Sequence, residues 1–305
     1  MRHASMPVMA VAIAVAIVVA AIVAAGLVCR YRRRQEIFIR FQTMQGPVLV
    51  YTIRDDDGRL VRVMESQGAY ESAAYMDDDL RYELVFGYHR AYNHVFDPGV
   101  PVESMLVIGG GGFAYPEYVV SHHPETHVDV VEIDPMVISI AQRYFFLDRL
   151  VAEYDIEATG QLEVICMDGR EYLDAGGRRY DAIFNDCFQG RSPVMSLASV
   201  EAARSIKGCL NPGGVYMSNV ISSLSGEDAA FISSVVKTLS EVFEHVFVIA
   251  GLPDSPAERD NNIVVATDGG QSYGGVVDFE PLEDAPVFHD DLQEMYQKLF
   301  RVEDK

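Results

Sequence analysis

Four short segments of the sequence carry glycines and carboxylate side chains that could bind a ligand. The first is a run of four glycines, which lets a ligand approach the backbone closely because no Cβ intervenes; it comprises Gly109, Gly110, Gly111 and Gly112. Glu132 follows at a spacing that suits a carboxylate accepting both hydroxyls of a ribose. Asp168 and Gly169 are placed to hydrogen-bond the edge of a base, and Asp186 to face the reactive end of the ligand.

The pattern of these segments favours an adenosyl ligand that carries a sulfonium group. The glycine run lacks the regular GxGxxG spacing of dinucleotide-binding loops, and a sulfonium ligand has no pyrophosphate for such a loop to hold. NAD is therefore disfavoured. Each segment alone is also compatible with a tight turn or a helix cap, so the prediction rests on their order along the chain.

An open sheet must position these segments, because each of them follows a short apolar run. The runs predict seven strands with helices between them, an alternation that is typical of a parallel α/β sheet. The predicted strands are 105–108, 127–133, 162–166, 180–185, 214–219, 245–250 and 262–267. Ligands bind such sheets beyond the carboxyl ends of the strands, so we expect the four segments to meet at that edge.

The chain divides into three predicted regions, residues 1–36, 37–98 and 99–305. Within the first, residues 7–29 carry no charge and would form a helix of roughly 34 Å, enough to cross the hydrocarbon core of a bilayer. Four arginines follow this stretch, namely Arg30, Arg32, Arg33 and Arg34. By the positive-inside tendency, we expect a cell-membrane protein with one transmembrane helix and a cytoplasmic catalytic domain.

The second region predicts a small antiparallel β unit and a connecting helix. Apolar and polar residues alternate over 37–43, 48–54 and 60–65, which indicates three strands. Residues 80–96 have apolar side chains at helical spacing, and the sequence Asp97-Pro98-Gly99 ends that helix. The third region, from residue 99 onward, contains the predicted sheet.

Composition excludes several classes of function. The 305 residues are 49% hydrophobic, enough for a sizeable core, and carry a net charge of −21. Residues 37–305 alone carry −25, which argues against a nucleic-acid partner and suits a cationic substrate. The four cysteines form no CxxC pair and no metal-ligand spacing, so we expect a reduced compartment and no structural zinc.

Several of the segments described above resemble the spermidine synthase, or polyamine aminopropyltransferase, family. The resemblance covers about residues 48–270, and VEIDP and YDxIxxD are its most specific parts. The matching strings are LVIGGGG (106–112), VDVVEIDPMVISIAQRYF (128–145), MDGREYL (167–173), YDAIFNDCF (180–188) and LNPGGVYMSN (210–219). This family implies a Rossmann-like domain of the class I S-adenosylmethionine-dependent transferase type behind a small N-terminal β domain.

The resemblance also implies an activity and a role for each matching residue. The family transfers an aminopropyl group from decarboxylated S-adenosylmethionine to an amine such as putrescine, without a metal. Glu132 would bind the ribose, Asp168 and Gly169 the adenine, and Asp186 would accept the proton of the attacking amine. His89 lies near the family's donor-contacting Tyr-His pair. Many relatives form homodimers, and a homodimer stays open for this chain.

Three departures from the family pattern keep two other functions open. Gly112 stands where the family carries an acid that contacts the donor amine, and Gln189 replaces the second acid of the amine pocket. In the LDGxxQ pattern, Gln67 and Glu71 exchange the acid and the amide. Because these changes remove charge near both amines, ordinary S-adenosylmethionine becomes an alternative donor. The alternatives are a methyltransferase and a sensor of an adenosyl ligand without turnover.

Overall fold

The protein is described here from a computed structural model that places residues 37–97, 99–189 and 192–292. The predicted membrane span at residues 7–29 and its basic flank lie outside these residues, as does the side chain of Gln189. Over the described part of the chain, every helix is too short or too polar to cross a bilayer.

The N-terminal unit is a four-stranded antiparallel meander, one strand more than the sequence predicted. Its strands, in spatial order, are β1 (Phe38–Thr43), β2 (Gly46–Arg54), β3 (Leu60–Ser66) and β4 (Ala69–Tyr75). The turn between β3 and β4 consists of Gln67 and Gly68, whose φ angles of 49° and 76° give the two-residue turn that suits a twisted hairpin. The small residues of β4 hide its strand character in the sequence.

The connecting helix predicted over 80–96 is confirmed only in its second part, residues 87–96. The structure has a 3₁₀ turn at Asp78–Leu80, an α-helix α1 at Gly87–Tyr92 and a second 3₁₀ turn at Asn93–Phe96. Arg81 is buried and pairs with Asp78 and Glu153, which holds the intervening chain in a non-helical path. These tertiary contacts override the helical spacing, and α1 starts only after the extended residue Phe86.

The sheet domain has eight strands: β5 (Ser104–Ile108), β6 (His127–Glu132), β7 (Leu162–Cys166), β8 (Tyr180–Asn185), β11 (Leu210–Ser222), β12 (His245–Ile249), β13 (Asp260–Thr267) and β14 (Val276–Val277). Their spatial order is β14-β12-β13-β11-β8-β5-β6-β7. Neighbouring strands from β11 to β7 are parallel, whereas β13 pairs antiparallel with both β11 and β12. All seven predicted strands are present. The eighth, β14, is a two-residue edge strand on β12, too short to leave a pattern in the sequence.

Helices cover both faces of this sheet, and two apolar clusters of buried side chains lie between the layers. The helices are α2 (Ala114–His122), α3 (Pro135–Tyr144), α4 (Leu147–Glu153), α5 (Ile156–Thr159), α6 (Gly169–Ala175), α7 (Val200–Gly208) and α8 (Ala230–Ser240). The strands β9 (Phe188–Gln189) and β10 (Ser192–Pro193) form a separate two-stranded ribbon after β8. Asp134 is the N-cap of α3, since its Oδ1 accepts a hydrogen bond of 2.8 Å from Met136 N. This architecture is Rossmann-like.

Candidate active site

A cavity of about 980 Å³ lies at the carboxyl edge of the sheet, beneath strand β4 of the N-terminal unit and helix α1. Its size suits a nucleoside-sized ligand together with a second small molecule. The sequence-predicted residues that line it are Glu71, His89, Gly109, Gly110, Gly111, Glu132, Asp168, Gly169 and Asp186. Long-range folding thus brings together side chains that lie more than a hundred residues apart.

The glycine run forms a tight loop after β5 that requires glycine at its first two positions. Gly109 has a φ of +93°, and a Cβ there would lie 2.8 Å from the carbonyl oxygen of Asp186. A Cβ on Gly110 would lie 2.6 Å from the ring of Phe113. The loop is therefore packed against the strand end that carries Asp186, and its remaining face opens into the cavity.

Gly112 differs from the other three glycines, because it does not line the cavity. Its backbone N–H donates a 2.8 Å hydrogen bond to Ser72 Oγ of β4. A Cβ at this position would lie 2.7 Å from the same oxygen and 3.0 Å from the ring of Phe145. The structure therefore places Gly112 in the contact between the loop and the N-terminal unit, and its predicted place against the donor is not seen.

Glu132 ends β6 and holds the glycine loop. Its Oε2 accepts hydrogen bonds from Gly110 N at 2.9 Å and Gly111 N at 3.3 Å, and its Oε1 accepts one from Asp134 N at 2.9 Å. Burial raises the pKa of this carboxyl, while the three backbone N–H groups act in the opposite direction. The two carboxylate oxygens offer about four acceptor sites in all, and the one left on Oε1 can still accept a ribose hydroxyl from the cavity side.

Asp168 begins α6 and serves as its N-cap. Its Oδ1 accepts hydrogen bonds from Arg170 N at 2.8 Å and Glu171 N at 3.0 Å. Gly169 follows where a Cβ would lie 2.4 Å from Ile108, so glycine lets α6 approach β5 closely. Among the described residues Asp168 Oδ2 has no hydrogen-bond partner, and Asp168 lines the cavity with that acceptor unused.

Asp186, directly after β8, is held by side chains from two other elements. Its Oδ2 accepts a 3.0 Å hydrogen bond from Tyr88 OH and lies 3.3 Å from His89 Nε2, both on α1. Its Oδ1 accepts a 2.9 Å hydrogen bond from Asn219 Nδ2 of β11. The side chain is 16% exposed, so the carboxylate is fixed in direction yet open to the cavity.

Several buried polar atoms around Asp186 have no hydrogen-bond partner within the described part of the chain. They are His89 Nδ1, Tyr92 OH, Tyr115 OH and Asn219 Oδ1, and all four residues line the cavity. Buried polar atoms are normally satisfied, so this cluster indicates a place for a polar ligand. Burial and the negative charge of Asp186 raise the pKa of Tyr88 and Tyr92 well above the ordinary value, which keeps both phenols neutral.

Glu71, on strand β4, also lines the cavity. Burial raises the pKa of its carboxyl from the ordinary 4.5 to about 7. A hydrogen bond with Ser66 acts against this increase, and the negative charge of Glu132 adds to it. Glu71 is thus a carboxylate that the cavity destabilises in its charged form.

Tyr88 and Asn219 are site residues that the sequence analysis missed. Tyr88 directly precedes His89, so the Tyr-His pair offered a signal that went unused. Asn219 had none, because its contact with Asp186 depends on the pairing of β11 with β8. Cys187, next to Asp186, lines the cavity, and burial raises the pKa of its thiol, which makes it a neutral wall residue.

A second group of ionisable side chains lies at the opposite, amino edge of the sheet. Oxygen and nitrogen atoms of His127, Asp129 and Glu163 lie within 4.8 Å of one another, close enough for metal ligands. Arg178 Nη1, however, is 2.7 Å from both Asp129 Oδ2 and Glu163 Oε2. The guanidinium therefore already supplies the positive charge that a metal ion would bring.

Comparison with known proteins agrees with the geometry of the cavity. Residues 85–257, more than half of the chain, match the model of the spermine/spermidine synthase domain. Polyamine aminopropyltransferase 2 of Hyperthermus butylicus is 35% identical over 144 residues, which cover 46% of this chain and 44% of that protein. The polyamine aminopropyltransferase of Vibrio vulnificus is 33% identical over 124 residues, which cover 40% of this chain and 38% of that protein. The chain thus spans less than half the length of these two relatives.

A solved structure shows the same fold over a larger share of the chain. A probable spermidine synthase from Corynebacterium glutamicum superposes with a TM-score of 0.66 and 19% identity. The superposition covers 83% of this chain and 96% of the other. At this identity, the likeness establishes the fold, including the small β unit in front of the sheet.

Proposed function

Because this chain belongs to the spermine/spermidine synthase family, we propose that it transfers an aminopropyl group from decarboxylated S-adenosylmethionine to an amine such as putrescine. The proposal rests mainly on Asp186, whose carboxylate is held by Tyr88, His89 and Asn219. This carboxylate lines the same cavity as the glycine loop and Glu132. Methyl transfer and ligand sensing gain no support from the relatives.

The donor is assigned to the side of the cavity formed by β5, β6 and α6. Glu132 would accept a ribose hydroxyl on the Oε1 site that the three backbone N–H groups leave unused. Asp168 Oδ2 would accept a hydrogen bond from the amino group of the adenine. This arrangement points the sulfonium toward Asp186, because the glycine loop packs directly against the backbone of that residue.

The acceptor amine is assigned to the group of polar atoms around Asp186. An alkylammonium has a pKa near that of lysine, about 10, so it must lose a proton before it can attack. Asp186 would first bind the cation and then take the proton. Tyr92 OH, Tyr115 OH and Asn219 Oδ1 offer further acceptors for the remaining N–H bonds, and this would orient the nitrogen lone pair.

The reaction balances without another reagent. The amine nitrogen forms a bond to the carbon next to the sulfonium, and the carbon–sulfur bond breaks. The sulfur keeps the electron pair and leaves as the neutral thioether methylthioadenosine, while the proton from nitrogen goes to Asp186. Since the leaving group needs neither a proton nor a Lewis acid, we propose that the step proceeds without a metal.

We also propose that residues 7–29 anchor the enzyme in the cell membrane with residues 37–305 in the cytoplasm. The proposal rests on the uncharged stretch and on the arginines that follow it. Fractionation of cells that express the full-length chain tests it. Recovery in the membrane fraction after a carbonate wash is expected, and recovery in the soluble fraction with an intact N-terminus would contradict it.

The activity itself is tested with the full-length protein in mild detergent. The protein is incubated with decarboxylated S-adenosylmethionine and, separately, with putrescine, cadaverine, 1,3-diaminopropane and spermidine, and methylthioadenosine is measured by chromatography. We expect amine-dependent methylthioadenosine with at least one acceptor. If no amine gives methylthioadenosine, the proposal fails, and binding of the donor without turnover would then favour the sensor.

A further inference from the structure

We propose that Glu71 selects the donor: its carboxylate pairs with the ammonium of the aminopropyl chain and repels the carboxylate of ordinary S-adenosylmethionine. This inference rests on the proposed function and assigns the specificity of the same site. It makes Glu71, a residue of the small N-terminal unit, a determinant of which sulfonium ligand the cavity accepts.

Steric contacts prevent an acidic side chain from occupying the end of the glycine loop in this chain. A side chain at position 112 would have to displace Ser72 of β4 or the ring of Phe145, which lie 2.7 Å and 3.0 Å from an added Cβ. The loop therefore offers only backbone to the ligand. Any negative charge near the donor's amine has to come from another element.

Glu71 lies over the same loop. Its carbonyl oxygen lies 3.6 Å from the point that a Cβ on Gly111 would occupy. The next residue, Ser72, accepts the hydrogen bond from Gly112 N at 2.8 Å, which fixes β4 against the loop. The side chain of Glu71 lines the cavity, so its carboxylate is presented to a ligand lying on the loop.

Glu71 has no cationic partner in the described part of the protein. The interactions that affect its carboxyl are burial, a hydrogen bond with Ser66 of β3 and the negative charge of Glu132 at the end of β6. Of the two arginines among the residues lining the cavity, Arg170 pairs with Asp174 and Asp290. Arg259 instead donates to Ile221 O on β11.

Such a carboxylate favours a cation and disfavours an anion. Burial beside a second carboxylate raises the pKa of Glu71 to about 7, so near neutral pH the group is easily protonated unless a positive charge stabilises it. Decarboxylated S-adenosylmethionine brings a sulfonium and an ammonium and no negative charge. Ordinary S-adenosylmethionine adds a carboxylate, whose approach to Glu71 and Glu132 would be repulsive.

The experiment compares three ligands on the full-length protein and on Glu71→Gln, which keeps the shape and removes the charge. Calorimetry in detergent at pH 8 gives the Kd of decarboxylated S-adenosylmethionine, of S-adenosylmethionine and of methylthioadenosine, which lacks both the ammonium and the sulfonium charge. We expect the wild type to prefer the decarboxylated form over S-adenosylmethionine. Glu71→Gln should raise the Kd of decarboxylated S-adenosylmethionine about 10-fold, or about 1.4 kcal/mol in binding free energy, and leave the Kd of methylthioadenosine unchanged.

A matched control is Glu65→Gln, one strand away on β3. Glu65 accepts a hydrogen bond from Tyr51 OH and lies outside the cavity lining, so its loss removes the same charge from the same unit. It should leave all three Kd values unchanged. If both variants raise the Kd of decarboxylated S-adenosylmethionine equally, Glu71 acts only through the net charge of the protein, and the inference is overturned.

Other results overturn the inference without touching the proposed function. If Glu71→Gln raises the Kd of methylthioadenosine as much as that of the donor, Glu71 binds the nucleoside and does not recognise the ammonium. If the variant keeps the wild-type preference between the two donors, selection lies elsewhere. The proposed function fails on a separate result, the absence of methylthioadenosine formation by the wild type with every amine.

Discussion

Two groups of carboxylates lie at opposite edges of the same sheet, and their partners differ in kind. At the amino edge, Asp129 is fully buried, accepts a 2.5 Å hydrogen bond from Tyr180 OH and pairs with Arg178. At the carboxyl edge, Asp186 and Glu132 are held by tyrosine, histidine, asparagine and backbone N–H groups. No arginine or lysine of the described residues forms an ion pair with either of them, or with Glu71.

The difference separates a structural from a functional use of the same side chain. A carboxylate paired with arginine has its charge neutralised within the fold and has little attraction left for a cation from solution. Carboxylates that are oriented without an arginine or lysine partner keep more of their charge for a ligand. The excess of acidic residues in the whole chain does not reveal this, because it counts both groups alike.

The largest effect is expected at Asp186. Asp186→Asn keeps acceptors and donors of similar size but cannot take the proton, so kcat should fall by about 10³-fold. Steady-state assays of methylthioadenosine release measure this loss, and the Kd of the donor should change less than about threefold. A variant that retains more than a tenth of the wild-type kcat would show that the proton goes elsewhere.

At the amino edge, the expected effect is on stability and not on the reaction. Asp129→Ala would remove the buried acceptor of Tyr180 OH and one of the two ion pairs of Arg178, and it should lower the free energy of unfolding by about 2–4 kcal/mol. Urea denaturation followed by circular dichroism measures this change. The donor Kd at a temperature where the variant is folded should stay at the wild-type value. A change in donor affinity there would contradict the separation of the two edges.

Glu71 is expected to reduce stability above neutral pH. A carboxyl whose pKa is raised on folding, here from 4.5 to about 7, stabilises the fold while protonated. That contribution is complete below about pH 4.5 and is lost as the pH rises through about 7. Glu71→Gln should therefore be more stable than the wild type by about 1–3 kcal/mol at pH 8, with a difference that shrinks toward pH 5.

This prediction separates a functional from a structural role of Glu71. Denaturation curves of both proteins between pH 5 and pH 8 provide the test. If Glu71→Gln is more stable than the wild type yet binds the donor more weakly, the carboxylate serves to bind the ligand and does not stabilise the fold. If Glu71→Gln is less stable at pH 8, the side chain supports the fold and the weaker binding loses its explanation.

The smallest effect is expected from Tyr88→Phe. This change removes one of the hydrogen bonds to Asp186 Oδ2 and leaves Asn219 and His89 in place. A loss of about 10-fold in kcat is expected, because the carboxylate is less well oriented while the proton acceptor remains. Tyr82→Phe, which removes a hydroxyl that bonds Glu153 far from Asp186, is the control and should keep full activity. Equal losses in both variants would argue against a positioning role for Tyr88.

Local patterns in the sequence predicted the strands of the sheet well, because each is a continuous apolar run ended by turn residues. They also predicted that Glu132 and Asp186 would come together, since both follow parallel strands. The first part of the predicted connecting helix is absent, because the ion pairs of Arg81 hold that part of the segment in a non-helical path. Strand β14 was not predicted, because two residues are too few to show a periodic pattern.

Other features of the site depend on contacts that no local pattern encodes. The burial of Gly112 follows from the packing of β4 on the loop, which joins residues 40 positions apart. The contact of Asn219 with Asp186 requires the pairing of β11 with β8. The sequence marked Glu71 as an exchange of acid and amide, but its raised pKa comes from burial beside Glu132 and required the fold.

The central claim, that the cavity transfers an aminopropyl group from a donor without a carboxylate, is tested most directly by a competition. The full-length protein is incubated with equal concentrations of decarboxylated and ordinary S-adenosylmethionine and the best amine acceptor, and both nucleoside products are measured by mass spectrometry. We predict methylthioadenosine with an aminopropylated amine, in large excess over S-adenosylhomocysteine. Excess S-adenosylhomocysteine with a methylated amine would contradict the account.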